Sequence, residues 1–207
     1  MNYDFEVVEK AFIDCINKRI PMCEFADFSY DQFKLLESYV ARKPATVKEN
    51  LLFELGDMFD GLAFLKGATY KDEIYIVKDG YEYFKQLRKC YESNTALHKM
   101  ELEPRSFKKI KAGTKTVELR LYDEKRRKIN PGDTIEFMNS IGADRLYVSI
   151  IALHKFPSFE ELYQKFDKSA LGYDGGETAD PADMLKFYPK ERQNKYGVVG
   201  IEIKLEK

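Results

Sequence analysis

The sequence predicts an α+β protein: a helical N-terminal module followed by a small, mostly antiparallel β-barrel with flanking helices. Three observations carry that expectation. In the first part apolar residues recur at three- and four-residue steps, the spacing of an amphipathic helix. In the second part, short alternating segments are separated by turn sequences, as in small barrels. Between them lies the polar run Glu92-Ser93-Asn94-Thr95, which sets the expected domains at 1–93 and 97–207.

Taken in order, Phe5, Val8, Phe12 and Cys15 fall on one helical stripe that ends before Pro21. Ser29 with Gln32 has the pattern of a capping box ahead of Phe33, Leu36 and Val40, and Thr46 with Glu49 repeats it. Leu51, Leu55, Met58, Leu62 and Leu65 then form a seam, either a bundle core or a homodimer contact through the helical N-terminal module. Gly56 and Gly61 weaken that helix by roughly 1 kcal/mol each relative to Ala, so a bend or break is expected there. Ile74 to Val77 reads as a short strand, turned by Lys78-Asp79-Gly80 into a last helix carrying Tyr81, Phe84, Leu87 and Tyr91. Phe107 and Ile110 mark a short helix closed by Gly113. Thr116 to Tyr122 alternates, with Val117, Leu119 and Leu121 on one face and Thr116, Glu118, Arg120 and Tyr122 on the other. Asn130-Pro131-Gly132-Asp133 is a turn, and strands follow over 134–138 and 146–153. Ser158 with Glu161 and Asp180-Pro181 start two further helices, and 198–205 is the closing strand.

Composition excludes several classes. Of 207 residues, 44% are hydrophobic and 33% charged, enough for both a core and a soluble surface. No apolar run approaches the roughly 20 residues of a membrane helix, and the acidic start at Asp4 and Glu6 is unlike a secretory leader. Cys15, Cys23 and Cys90 are an odd number without ligand spacing, and His98 and His154 are the only histidines. A cytoplasmic protein without metal or other cofactor is expected. His154, at the end of an apolar strand, reads as structural, and the cysteines as inert. The net charge of −1 conceals a division: residues 1–96 hold 13 basic against 17 acidic side chains, and residues 97–207 hold 21 against 18. Within the second part, residues 105–128 carry ten basic side chains and three acids, suited either to a nucleic-acid surface or to a solvated face.

One segment concentrates polar chemistry: Gly113-Thr114-Lys115-Thr116-Val117-Glu118-Leu119-Arg120, then Asp123-Glu124-Lys125-Arg126-Arg127. Glu118 and Arg120, two apart on a strand, are close enough to share a ligand. An Arg holds a phosphate or base edge with two hydrogen bonds, and a carboxylate accepts from an exocyclic amine. Strict alternation sends Lys115 to the apolar face, but a residue just after a turn can swing to the barrel mouth. A plain salt-bridged strand with a basic loop accounts for the same residues. Gly172 to Gly176 does not follow a strand in the phosphate-loop pattern and reads as a flap over the barrel cleft.

The order Gly113-x-Lys115-Thr116-x-Glu118-x-Arg120, Asp123-Glu124-Lys125-Arg126 and Pro131-Gly132-Asp133-x-Ile135-x-Phe137 resembles the ASCH domain, a member of the PUA-like superfamily. Residues 156–163 and 196–201 are similar to the same family, and the resemblance spans about residues 97–207. It implies a PUA-like barrel with a cleft beside the Gly-x-Lys loop, and RNA or a modified nucleoside as partner. It also implies that some relatives are enzymes, amidohydrolases on N4-acetylcytidine or ribonucleases. The amidohydrolase subgroup pairs its Lys with a Thr three residues later and a Glu further on. Here Lys115 matches, the third position is Glu118, Thr116 stands at another offset, and Glu177 lies in the region of the distant Glu. An ionised Glu only accepts, so a different hydrolytic site follows, with Lys115 and Glu118 as an acid/base pair. Otherwise the two simply pair, and Thr116, Arg120, Lys125 and Arg126 bind the ligand.

Overall fold

The computed structural model describes residues 3–206, apart from the side chain of Asp72. The chain divides at Ala96/Leu97 into two compact units.

The first unit holds four helices, α1 (Phe5–Ile16), α2 (Met22–Val40), α3 (Val47–Ala63) and α4 (Tyr70–Ser93), with a 3-10 turn at Phe64–Gly67. Asp4 and Thr46 cap α1 and α3, accepting from the backbone N–H of Val7 and Glu49 at 3.2 and 3.1 Å. The core is organised on Phe12. Its ring meets Phe25 of α2, Phe59 of α3 and Phe84 of α4 at centroid distances of 5.0, 6.4 and 5.4 Å. Arg88 ties α4 to α1 by reaching Glu6 and Glu9.

Several expectations for this unit are corrected. Ser29 is no cap: α2 starts seven residues earlier, after Pro21, and the buried Ser29 hydroxyl donates to the Phe25 carbonyl at 2.8 Å. Residues 74–77 are helical, not a strand, and α4 runs unbroken through Gly80. Ile74, Val77, Tyr81 and Phe84 keep the helical step through the supposed turn, and the bare Gly80 lets Leu62 and Phe12 approach. Helix α3 is likewise continuous through Gly56 and ends beyond Gly61. The seam is spent inside the unit as a bundle core: Leu51, Leu55, Leu62 and Leu65 are buried and Met58 half-buried.

The second unit contains β1 (Leu97–Leu102), α5 (Pro104–Lys111), β2 (Val117–Leu121), β3 (Thr134–Asn139), β4 (Arg145–Phe156), α6 (Phe159–Lys165), α7 (Lys190–Tyr196) and β5 (Val198–Leu205). Asp180 caps a 3-10 helix at Pro181–Lys186. The strands form one curled sheet in the order β1-β3-β4-β5-β2, a half-barrel with flanking helices. Only the β1–β3 pair is parallel; the rest are antiparallel. Alternation divides two cores. Val199, Ile201 and Ile203 of β5 pack with Ile135, Phe137, Val148 and Phe107 inside the curl. Val117, Leu119 and Leu121 of β2 pack outside it with Phe159 and Leu162 of α6. Strand β1 and helix α7 are elements that the alternation and caps did not announce: β1 is an edge strand with irregular burial, and α7 buries little beyond Gln193. Among the described residues no helix is long and apolar enough to cross a membrane.

The glycines of α3 give the first prediction. A Cβ at Gly56 would stand 2.4 Å from Val40 Cγ2 and 3.3 Å from Leu36 Cβ, whereas one at Gly61 meets nothing within 4 Å. Overpacking costs about 1–3 kcal/mol, and Ala gains about 1 kcal/mol over Gly in a helix. In urea titrations Gly61→Ala therefore raises stability, and Gly56→Ala lowers it by about 1 kcal/mol.

Candidate functional site

The chain turns sharply after α5. Gly113 takes φ +73°, and the backbone N–H of Thr114 and of Lys115 both reach back to the Lys109 carbonyl. This places Lys115 just ahead of β2 and lets its side chain leave the strand's alternation. Gly172 (φ +101°) completes its channel: a Cβ there would lie 3.0 Å from Lys115 Cδ. The buried Lys115 Nζ donates to the Leu171 carbonyl at 3.1 Å and stands 3.3 Å from Glu118 Oε2.

Glu118 and Arg120 face inward, not to solvent. They lie opposite Ile201 and Val199 in the β2–β5 register, and both partners belong to the inner core. Glu118 is 5% exposed, a carboxylate between two cations, with Arg120 Nε 3.0 Å from its Oε1. Arg120 also donates from Nη2 to the Glu101 carbonyl of β1 at 2.7 Å, and from Nη1 to the Tyr188 hydroxyl at 3.3 Å. It thus spans the two strands at the ends of the sheet order, where the curl stays open. Burial works against its charge, but Glu118 and Tyr188 outweigh that and raise its pKa.

The open seam holds a cleft of about 390 Å³, lined by Glu101, Leu102, Glu103, Ser106, Lys115, Glu118, Leu119, Arg120, Ser140, Met184, Phe187 and Tyr188. Two polar atoms at its floor, Glu118 Oε2 and Arg120 Nε, are buried within ion-pair distance of their neighbours but accept or donate no aligned hydrogen bond among the described residues. Each stands against opposite charge, Glu118 Oε2 toward Lys115 Nζ and Arg120 Nε toward Glu118 Oε1, so the floor is a desolvated, ion-paired cluster. The buried cluster sets two cations against one carboxylate, and with Glu101 and Glu103 the whole lining carries three carboxylates against two cations. At the rim Phe187 is 39% exposed, and Tyr188 is stacked on Phe159.

Of the residues expected at a site, the structure brings Lys115, Glu118 and Arg120 together. Thr116 is exposed and absent from the cleft lining; its N–H donates to the Ala170 carbonyl. Lys125 and Arg126 line a neighbouring groove, and Arg126 is paired with Asp123 at 3.1 Å. Glu177 is also outside the cleft. It pairs with Arg105, which lowers its pKa, and Lys109 pairs with Asp174, so the glycine-rich segment is anchored to α5 and does not line the cleft. His154 has a structural environment, 2.8 Å from Glu202 and edge-on to Phe166. Phe187 and Tyr188 carry no motif, and Tyr188 lies 68 residues beyond Arg120, so no sequence signal joins them to the site. No cluster of three metal-ligating side chains occurs among the described residues.

The model of the ASCH domain family matches residues 100–207. Two solved structures are similar to the chain. The hypothetical protein PH0355 is 35% identical, with 53% of this chain and 99% of that one aligned at a TM-score of 0.46. Protein PF0455 from Pyrococcus furiosus is 35% identical, with 54% and 98% aligned at a TM-score of 0.42. No curated protein matches the chain.

Removing the carboxylate leaves two buried cations facing each other. Glu118→Ala is expected to lower stability by about 3–5 kcal/mol in urea unfolding, the range for breaking a buried pair. A loss below about 1 kcal/mol, the level of an exposed pair, would mean that the cluster is solvated.

Proposed function

The chain belongs to the ASCH domain family, and from that premise we propose that it binds RNA or a modified nucleoside in the seam cleft. The observation that carries the reading is the buried Lys115–Glu118–Arg120 cluster at the floor of an open pocket with an aromatic rim. A volume of about 390 Å³ is in the range of small-ligand pockets and takes one base with part of its sugar. The Glu118 carboxylate accepts from a base N–H or exocyclic amine. Lys115 and the remaining N–H groups on Arg120 Nη1 and Nη2 donate to carbonyl oxygens, while Nε stays against Glu118. Phe187 supplies a face for stacking.

A second reading, hydrolysis of a modified nucleoside or RNA, is favoured by the 3.3 Å approach of Lys115 Nζ to Glu118 Oε2 at the same floor. There Glu118 takes a proton from water and Lys115 returns one to the leaving group, without a metal step. Incubation with N4-acetylcytidine and with single-stranded RNA, followed by mass spectrometry, tests it: a product that disappears in Lys115→Ala supports hydrolysis, and no product from wild type removes it.

Binding is tested by calorimetry with the same two ligands. Arg120→Ala should weaken association by about 1–3 kcal/mol, the worth of a bidentate contact. Phe187→Ala should weaken it by about 1–3 kcal/mol through lost stacking. Unchanged affinity in both variants, each shown by circular dichroism to be folded, refutes the cleft as the site.

A further inference from the structure

We propose that the cleft is the end pocket of a longer site whose continuation binds phosphates, so that the ligand is a single RNA strand and not a free nucleoside. This rests on the reading of the cleft as a base pocket. A groove of about 540 Å³ lies beside the cleft and shares Glu101 and Arg120 with it. The hydrogen bond from Arg120 to the Glu101 carbonyl is therefore the sill between the two spaces. Beyond that sill the lining changes character: Lys99, Lys125, Arg126 and Lys128 supply four cations, with Glu101 as the acid.

These cations are arranged, not scattered. Residues Arg126–Lys128 form a 3-10 turn that presents Lys125 and Lys128 to solvent, and neither side chain has an ion pair among the described residues. Arg126 is aimed by Asp123, whose carboxylate takes both its backbone N–H and its guanidinium at 3.1 Å. A nucleoside in the cleft has no anionic group to place there. A strand whose base enters the cleft must carry its backbone out across the sill, and its next phosphates meet the exposed Lys125 and Lys128. Lysines of this kind bind phosphate as point charges, independent of sequence.

The test measures binding of the full chain to the four ribonucleosides, their 5′-monophosphates and a mixed-sequence RNA hexamer from 50 to 200 mM salt. The expected order is hexamer tighter than monophosphate, and monophosphate tighter than nucleoside. The hexamer affinity should fall with salt at a slope of about 0.7 per phosphate contact, and Lys125→Ala/Lys128→Ala, which removes two contacts, should flatten that slope by about 1.4. Nucleosides that bind as tightly as the hexamer, without salt dependence, would overturn the groove while leaving the cleft reading intact. A steep slope that the double variant does not change would also overturn it. Absence of binding by every probe would overturn both readings together.

Discussion

The arrangement of the second unit depends on one guanidinium. A five-stranded sheet that curls without closing leaves two edge strands, β1 and β2, each with unpaired backbone groups. Arg120 spans that opening from β2, donating to a carbonyl of β1 and to Tyr188 while standing against Glu118. The cleft lies beside this bridge, with Arg120, Glu101 and Tyr188 all in its lining. A barrel closed by backbone pairing has no such space; a side-chain bridge keeps the ends joined and the pocket open.

Burying Lys115, Glu118 and Arg120 together is expensive, because desolvation of charges consumes much of what their attraction returns. Apolar side chains of similar volume in place of such a buried ionic cluster are often neutral or stabilising. The cluster therefore stabilises little for its own sake, and a buried charged cluster beside a cleft is the kind of feature that supports the proposed binding role. Gly113 and Gly172 serve this arrangement directly: their positive φ values turn the chain tightly on either side of Lys115 and leave its aliphatic stem a channel into the seam.

Much of this was legible in the sequence, and the failures have physical causes. Alternation located β2 and β5, and caps at Thr46, Ser158 and Asp180 form as read. Ser29-x-x-Gln32 imitated a cap because a Ser hydroxyl satisfies itself equally well on the carbonyl four residues back. Lys78-Asp79-Gly80 imitated a turn because a glycine is also what a helix needs where Leu62 and Phe12 press close. The site was half visible. Residue types and spacing marked Lys115, Glu118 and Arg120, but the direction of β2's polar face is decided by its pairing with β5. The rim residues Phe187 and Tyr188 come from a distant segment that only tertiary packing brings to the seam.

The central claim is that the ligand enters the seam between β1 and β2. The most direct measurement is an amide chemical-shift map of the full chain during titration with a short single-stranded RNA. Entry at the seam predicts saturable shifts at Leu102, Glu118, Arg120 and Phe187, with the groove residues Lys125 and Lys128 moving alongside. Saturable shifts confined to residues before Leu97, with the seam unmoved, would contradict it.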